Sequence, residues 1–92
     1  MAVLFTHRRM SPGGTRNEHI THVKWRQEHD GETGFMSKPQ AVKWLDDGNR
    51  AFVQGPHSRV EVGVVREAGK EPYLRTHANG KWDDNLLSLP LF

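Results

Sequence analysis

Histidine is the residue type in this sequence that most directly suggests a chemical site, because six are present in 92 residues. His19 and His22 form the only closely spaced pair, and imidazole is a common ligand of zinc and related metals. The surrounding segment alternates as a β-strand does, and residues three apart on a strand point to opposite faces. The pair is therefore not expected to chelate one ion, and we predict neither a metal nor another cofactor.

Motifs for nucleophilic catalysis and for phosphate binding are also missing. None of the serines occupies the GxSxG turn that exposes a catalytic hydroxyl. The Gly13-Gly14 pair lacks the lysine and hydroxyl residue that complete a P-loop. Cysteine is absent, which removes thiolate chemistry and disulfides. We therefore expect that the protein is not an enzyme.

Basic side chains are concentrated in the first part of the chain. Residues 1–27 contain five basic residues against Glu18 alone, a formal charge of +4, whereas residues 28–92 contain eight basic and ten acidic residues. Such a cluster can contact phosphate groups or an acidic protein surface. The alternation of residues 19–27 places three of the candidate groups on one face of a strand, namely His22, Lys24 and Arg26.

A second predicted strand carries Tyr73, Arg75 and His77 on one face. If the two strands are neighbours, basic groups surround an aromatic ring on one sheet surface, which suits the backbone and bases of a nucleic acid. The alternative is that Tyr73 packs beneath the C-terminal tail and the charges only keep the sheet soluble. Trp82 is expected to be partly exposed and suits a protein partner. The candidate binding residues are Arg8, Arg9, Arg16, His22, Lys24, Arg26, Tyr73, Arg75, His77 and Trp82.

The clearest local structure is a helix over residues 37–48. Ser37 is a good N-cap, Gln40 completes a capping box, and Gly48 is placed to end the helix. The apolar residues of this segment form a single stripe, so the helix must pack on a flat partner.

Four predicted strands, over residues 19–27, 50–55, 59–67 and 73–78, supply that partner. The links between the last three are short, which favours antiparallel pairing. We therefore predict an α+β domain with a small antiparallel sheet of three to five strands and one helix packed on one face.

The length and composition allow one domain. With 35% hydrophobic and 26% charged residues, the chain is typical of a small soluble protein with one core. Residues 1–18 are predicted to form a basic N-terminal arm, and residues 19–92 to form the domain. The arm contains AVLFTH, which could be a short strand, and the loop MSPGGTRNE. No segment approaches the roughly 20 apolar residues that cross a bilayer, and the first ten residues lack the apolar core of a signal peptide. We expect a cytoplasmic protein without a membrane partner.

The last eight residues, NLLSLPLF, are too apolar for a free tail. One interpretation is that the tail folds back and covers an open edge of the sheet. The other is that Leu89–Phe92 projects into a pocket of a partner.

Three motifs, in this order, carry a resemblance to a known family: ITHVKW, SKPQAVKWLDDG and YLRTHANGKWDDNLLSLP. The sequence resembles small bacterial and phage proteins catalogued as domain of unknown function 3892. The resemblance runs from Ile20 to Pro90, and residues 1–19 have no counterpart in it. It is most specific at Tyr73–Thr76, Asn79-Gly80, Asp84–Leu86 and Leu89-Pro90. The resemblance implies the fold and the order of elements, and no particular activity.

These observations favour a small binding protein without enzymatic activity that engages nucleic acid or a nucleoprotein complex through basic surface residues. The alternative is a phage-encoded inhibitor or adaptor, comparable to an anti-CRISPR protein, that docks on a host protein complex. The phage setting is implied by the resemblance alone. A DNA mimic is disfavoured because the formal net charge is +2.

Overall fold

Seven strands and one helix make up most of the chain. The computed structural model describes residues 2–55, 58–78, 81–83 and 85–92, without the side chains of Ala78 and Lys81. The elements are β1 (Ala2–Met10), β2 (Ile20–Gln27), β3 (Thr33–Ser37), α1 (Lys38–Asp46), β4 (Arg50–Gln54), β5 (Arg59–Val65), β6 (Tyr73–Ala78) and β7 (Lys81–Asp83). Single turns of 3-10 helix lie at Asn17–His19 and Asn85–Ser88. Asn79-Gly80 and Asp84, which belong to the most specific part of the resemblance, lie outside the described residues.

The seven strands form one mixed sheet in the order β3-β2-β1-β4-β5-β6-β7. All neighbours are antiparallel except β1 and β4, which run parallel where Ala2–Leu4 pair with Arg50–Phe52. The prediction of an antiparallel sheet of three to five strands is therefore wrong, although the broad α+β class is correct. The sequence reading missed β3 and β7, which are short strands at the two edges of the sheet.

The first strand accounts for the largest difference from the prediction. Residues 1–18 were expected to form a basic arm outside the domain, with at most a short strand at AVLFTH. In the structure, Val3, Leu4 and Phe5 are no more than 8% exposed, and β1 lies inside the sheet between β2 and β4. Burial of these three apolar side chains favours the sheet over a solvated arm. Of the expected arm, only residues 11–16 form an irregular loop.

Two irregularities in the β1–β2 ladder decide which side chains face away from the core. Phe5 pairs with Trp25, but the next pair is His7 with Lys24, so Thr6 is an extra residue in β1. Such a bulge shifts the alternation by one residue. Phe5 therefore packs in the core, whereas His7 lies on the opposite face. A second shift pairs Met10 with Ile20, and Ile20 is fully buried, although simple alternation along β2 would place it on the face of His22 and Lys24.

The helix covers one face of the sheet, which we call the core face. The N-terminus of α1 has the predicted capping box, since the Ser37 hydroxyl accepts a hydrogen bond from the Gln40 N–H at 3.3 Å and the Gln40 side chain accepts one from the Ser37 N–H at 3.0 Å. The core contains Val3, Phe5, Ile20, Val23, Ala41, Ala51, Val53, Val62, Leu74 and Leu86. No helix in the described ranges is long and apolar enough to cross a membrane.

The C-terminal residues complete the sheet beside β1. Beyond the short pairing with β4, Arg8 forms a parallel bridge with Leu91. The Arg8 N–H donates to the Pro90 carbonyl at 2.9 Å, and the Phe92 N–H donates to the Arg8 carbonyl at 3.1 Å. Leu86 is fully buried. The tail thus folds back over an open edge, as the first of the two interpretations stated.

Candidate functional site

The face of the sheet opposite the core, which we call the open face, carries one continuous row of side chains. The residues of this row lie directly opposite one another on successive strands: Arg26, Leu4, Phe52, Glu61, His77 and Trp82. Since directly paired residues share a face, the row extends from β2 to β7.

Basic and aromatic side chains converge on the open face at β1, β2 and β3. Lys24 of β2 lies opposite both His7 of β1 and Phe35 of β3. Two residues before Lys24 on β2, and on the same face, His22 lies opposite Arg9. The rings of His22 and Phe35 have centroids 6.5 Å apart. The three strands therefore bring five functional side chains into one patch.

The ring of Phe92 lies at the centre of this patch. The guanidinium carbon of Arg9 is 4.4 Å from the ring centroid, and Lys24 Nζ is 5.8 Å from it. The rings of His7 and Phe35 have centroids 6.3 Å and 6.5 Å from that of Phe92. We call the group the Phe92 cluster, which consists of His7, Arg9, His22, Lys24, Phe35 and Phe92.

Among the described residues, the cations of β1 and β2 differ from most others in forming no ion pair with Asp or Glu. Within the described residues, ion pairs with Asp or Glu are formed by Arg16, Lys38, Lys43, Arg50, Arg59, Arg66 and Lys70. Arg8, Arg9, Lys24 and Arg26 form none with the acidic side chains of those ranges. Of these, Arg9, Lys24 and Arg26 lie on the open face, so positive potential is concentrated at the Phe92 cluster and beside it.

A second aromatic group on the open face has its charges neutralised. Phe52 lies between Arg50 and Arg59, whose guanidinium carbons are 5.1 Å and 5.6 Å from the ring centroid. Arg50 forms two hydrogen bonds with Glu61, at 2.9 Å and 3.1 Å, and Arg59 pairs with Glu28. The hydrogen bond and the charge of Arg50 hold the pKa of Glu61 below its ordinary value. Two ionised carboxylates make this part of the face less suited to an anionic ligand.

Trp82 lies at the far end of the open face. Its indole packs against His77, with ring centroids 5.1 Å apart, and covers Gly63, where an added Cβ would come within 3.0 Å of the indole. Trp82 is 42% exposed, in agreement with the prediction. Three strands, β4, β5 and β6, lie between β7 and the strands of the Phe92 cluster.

Tyr73 and Arg75 do not join the surface of Lys24. The prediction of one patch required β2 and β6 to be neighbours, but β1, β4 and β5 lie between them. Tyr73 is 8% exposed, and its hydroxyl donates to Glu67 at 2.9 Å. Burial, and then this hydrogen bond, raise the pKa of Tyr73 above its ordinary value. Arg75 Nε donates to the main-chain carbonyl of Asp83 at 3.2 Å.

The loop and strand end beside the cluster account for three further residues. Arg16 is exposed and pairs with Glu18 at 3.7 Å. The side chain of Arg8 is half-buried, and its Nε has no hydrogen-bond partner among the described residues. His19 Nδ1 accepts hydrogen bonds from the N–H groups of Thr15 and Arg16, at 3.0 Å and 3.1 Å, and so holds the loop. In the described part of the chain, no group of three or more His, Asp or Glu side chains could hold a metal ion.

Comparison with protein families gives one result. The model of the family described as protein of unknown function (DUF3892) matches residues 5–90. The chain belongs to this family. No curated protein and no solved structure matches the chain significantly. Since the match begins at Phe5, the DUF3892 region includes most of β1 and exceeds the Ile20–Pro90 range of the sequence resemblance.

Sequence reasoning on this DUF3892 protein missed the aromatic half of the cluster. Phe35 lay outside every predicted element, between the strand over residues 19–27 and the helix over residues 37–48. Phe92 was noted only as part of an apolar tail. The position of His7 on the open face depends on the bulge at Thr6, which no local sequence signal indicates.

Proposed function

We propose that this DUF3892 protein is a small, non-enzymatic binding protein that engages nucleic acid, alone or within a nucleoprotein complex. The binding surface is the Phe92 cluster with the adjoining Arg26. The observation that carries this proposal is the coincidence, on one exposed patch, of aromatic rings and of cations that form no ion pair with Asp or Glu among the described residues.

The cations supply affinity for phosphate. Arg9 and Arg26 are exposed and Lys24 is half-exposed, and no ion pair within the described residues must be broken before these groups contact an anion. Neutralising phosphates releases condensed counterions, which favours binding and makes it dependent on salt. Arg50 and Arg59 would instead have to exchange Glu61 and Glu28 for phosphate.

The rings supply surfaces for bases. Phe35 is 64% exposed, and its plane is inclined by 59° to that of Phe92, so the two rings do not stack on each other. A base stacked on an aromatic side chain contributes about 1–3 kcal/mol regardless of its identity. The arrangement therefore suits unpaired bases and a binding mode with little sequence preference.

Fluorescence anisotropy with labelled single-stranded DNA, single-stranded RNA and duplex DNA, measured over a series of salt concentrations, tests the proposal. Three phosphate contacts to a single strand should give a slope of log K against log salt of roughly −2. The double variant Arg9→Gln/Lys24→Gln should bind more weakly with a shallower slope. Arg66→Gln is the matched control, because Arg66 is exposed, lies outside both the Phe92 cluster and β1 to β3, and pairs with Asp46. If the double variant binds like the wild type, the proposal is wrong.

A protein partner is the second candidate, as for an inhibitor or adaptor that docks on a host complex. The exposed apolar groups Trp82, at 42%, and Leu91, at 63%, favour it. Capture of a defined protein complex that survives nuclease treatment and is lost in Trp82→Ala would support this candidate. Loss of every partner on nuclease treatment would exclude it.

A further inference from the structure

A pocket lies between α1 and the strands β2 and β3, behind the Phe92 cluster. Its volume is about 460 Å³, which is within the usual range of small-molecule sites. The lining residues are Val3, Trp25, Gln27, Phe35, Met36, Gln40, Lys43, Trp44 and Asp47. The pocket is therefore mostly apolar, with a few polar groups among its walls.

Gln27 is the unusual member of this lining. It is only 9% exposed, and its side-chain amide forms no hydrogen bond with any described residue. The main chain of Gln27 is fully used, since its N–H donates to the Glu32 carbonyl at 2.7 Å and its carbonyl accepts from the Gly31 N–H at 2.9 Å. The amide atoms are not sealed in the core and are within reach of solvent from the pocket. They are therefore available to a ligand with a complementary donor and acceptor.

Two tryptophans form walls of the pocket. Trp25 lies against Gly34 so closely that an added Cβ would be 2.4 Å from the indole, which holds this ring in place. Trp44, from α1, also lines the pocket. Neither indole N–H donates to an atom of the described residues. These groups can pack against a flat ring, and the indole N–H groups remain available as donors.

The charged residues at the rim of the pocket do not favour a ligand whose binding depends on a phosphate group. Lys43, the only cation among the lining residues, pairs with Asp47 at 3.1 Å. A phosphate would have to displace this carboxylate. The uncharged Gln27 amide and the indoles are therefore the groups that would select the ligand.

We propose that this pocket receives one planar heteroaromatic ring with an amide-like hydrogen-bonding edge, the chemistry of an unpaired nucleobase. A glutamine amide presents a donor and an acceptor side by side, as is required to read a base edge. Unstacked bases are bound by the same combination of aromatic walls and edge hydrogen bonds. Phe35 lines the pocket and also belongs to the Phe92 cluster, so a base can pass around β3 from a strand on the open face. The inference that the base belongs to a strand bound on the open face rests on the proposed function. Binding of a free nucleoside in the pocket does not depend on that function.

Titration of the ¹⁵N-labelled protein with adenosine, guanosine, cytidine and uridine, and separately with short single-stranded oligonucleotides, tests the pocket. The indole N–H resonances of Trp25 and Trp44 should shift, while that of Trp82, on β7, should not respond to the nucleosides. If neither nucleosides nor oligonucleotides move the resonances of Trp25 and Trp44, the proposal is overturned. This measurement needs no variant.

The variant Gln27→Met removes the amide with little change in shape. It should lower the affinity for the bound nucleoside or oligonucleotide roughly tenfold or more. Gln54→Met is the matched control, because Gln54 is exposed and lies on β4. Unchanged affinity in a folded Gln27→Met protein would contradict the role of the amide.

The failures of the two proposals are distinguishable. One outcome is that nucleosides shift the indole resonances of Trp25 and Trp44 while Arg9→Gln/Lys24→Gln leaves oligonucleotide affinity unchanged. In that case the pocket binds a free base and the proposed function is wrong. If oligonucleotides bind with a steep salt dependence and leave Trp25 and Trp44 unmoved, the proposed function stands and the assignment of the pocket is wrong.

Discussion

Arg9 and Phe92 are 83 residues apart in the sequence, yet the guanidinium carbon of Arg9 lies 4.4 Å from the centroid of the Phe92 ring. Arg9 Nε also donates to the main-chain oxygen of Phe92 at 3.1 Å. The contact joins the first strand to the C-terminal residues on the open face. The Phe92 cluster therefore forms only when the tail is docked on the sheet.

Docking of the tail should depend on Leu86 far more than on Leu91. Leu86→Ala leaves a cavity in the core and should lower the free energy of unfolding by about 2–5 kcal/mol. Leu91 is 63% exposed, so Leu91→Ala should change it by less than about 0.5 kcal/mol. Urea denaturation followed by circular dichroism measures both values. Equal effects of the two substitutions would show that the tail is not held by Leu86.

The exposed ring of Phe35 should contribute to binding and little to stability. Phe35→Ala should weaken oligonucleotide binding by about 1–3 kcal/mol, because a stacking surface is lost. Phe35→Trp keeps an aromatic face at the same position and should retain most of the affinity. Anisotropy titrations at one salt concentration compare the three proteins. Equal affinity of the alanine and tryptophan variants would contradict stacking on this residue.

The close approach of Trp25 to Gly34 should make that glycine sensitive to substitution. In Gly34→Ala the new Cβ would lie 2.4 Å from the indole, and relieving that contact should cost about 1–3 kcal/mol of unfolding free energy. Gly63→Ala is the control, since Trp82 covers Gly63 but is 42% exposed and can move aside. Its effect, measured by the same urea titration, should be smaller. A larger effect of Gly63→Ala would show that Trp82, and not Trp25, is the more tightly held ring, and would contradict the prediction.

Tyr73 is the single tyrosine of the chain, so the absorbance of tyrosinate reports on this residue alone. Burial and the hydrogen bond to Glu67 raise its pKa above 10.0. Because the folded pKa is the higher one, the stability that this group contributes is present below pH 10 and is lost as the pH rises through the raised pKa. The absorbance midpoint should therefore lie above 10.0 in the folded protein.

Glu67→Gln provides the control for this titration. The substitution removes the neighbouring negative charge, so the midpoint should move towards 10.0 while burial keeps it above that value. Tyr73→Phe should lose the alkaline dependence of stability that the tyrosine causes. A wild-type midpoint at or below 10.0 would contradict the buried position of the hydroxyl.

Local signals made part of the fold predictable. The helix follows from Ser37, Gln40 and Gly48, which act within one turn of the chain. The strands β4, β5 and β6 follow from β-rich runs between turn residues. The position of β1 could not be read in this way, because its partners β4 and the tail come from distant parts of the sequence. The bulge at Thr6 also reverses the alternation on which such a reading relies.

The residues of the candidate site likewise divide into those that a local pattern predicts and those that only tertiary contacts place. His22, Lys24 and Arg26 share the face that simple alternation predicts, because β2 is regular over these residues. Tyr73 alternates equally well, but the hydrogen bond to Glu67 and its burial are tertiary contacts that no local pattern indicates. Phe92 belongs to the site only through its pairing with Arg8, which is again a contact between the two ends of the chain.

The pairing of Arg8 with residues 90–92 has a consequence for synthesis on the ribosome. β1 is made well before residues 90–92, its neighbours at Arg8, so a nascent chain cannot close this part of the sheet until residues 90–92 have left the exit tunnel. Until then the backbone of β1 presents unpaired groups to other chains. We therefore expect the sheet to close only after residues 90–92 have emerged, and the nascent chain to depend on a chaperone to avoid aggregation before then.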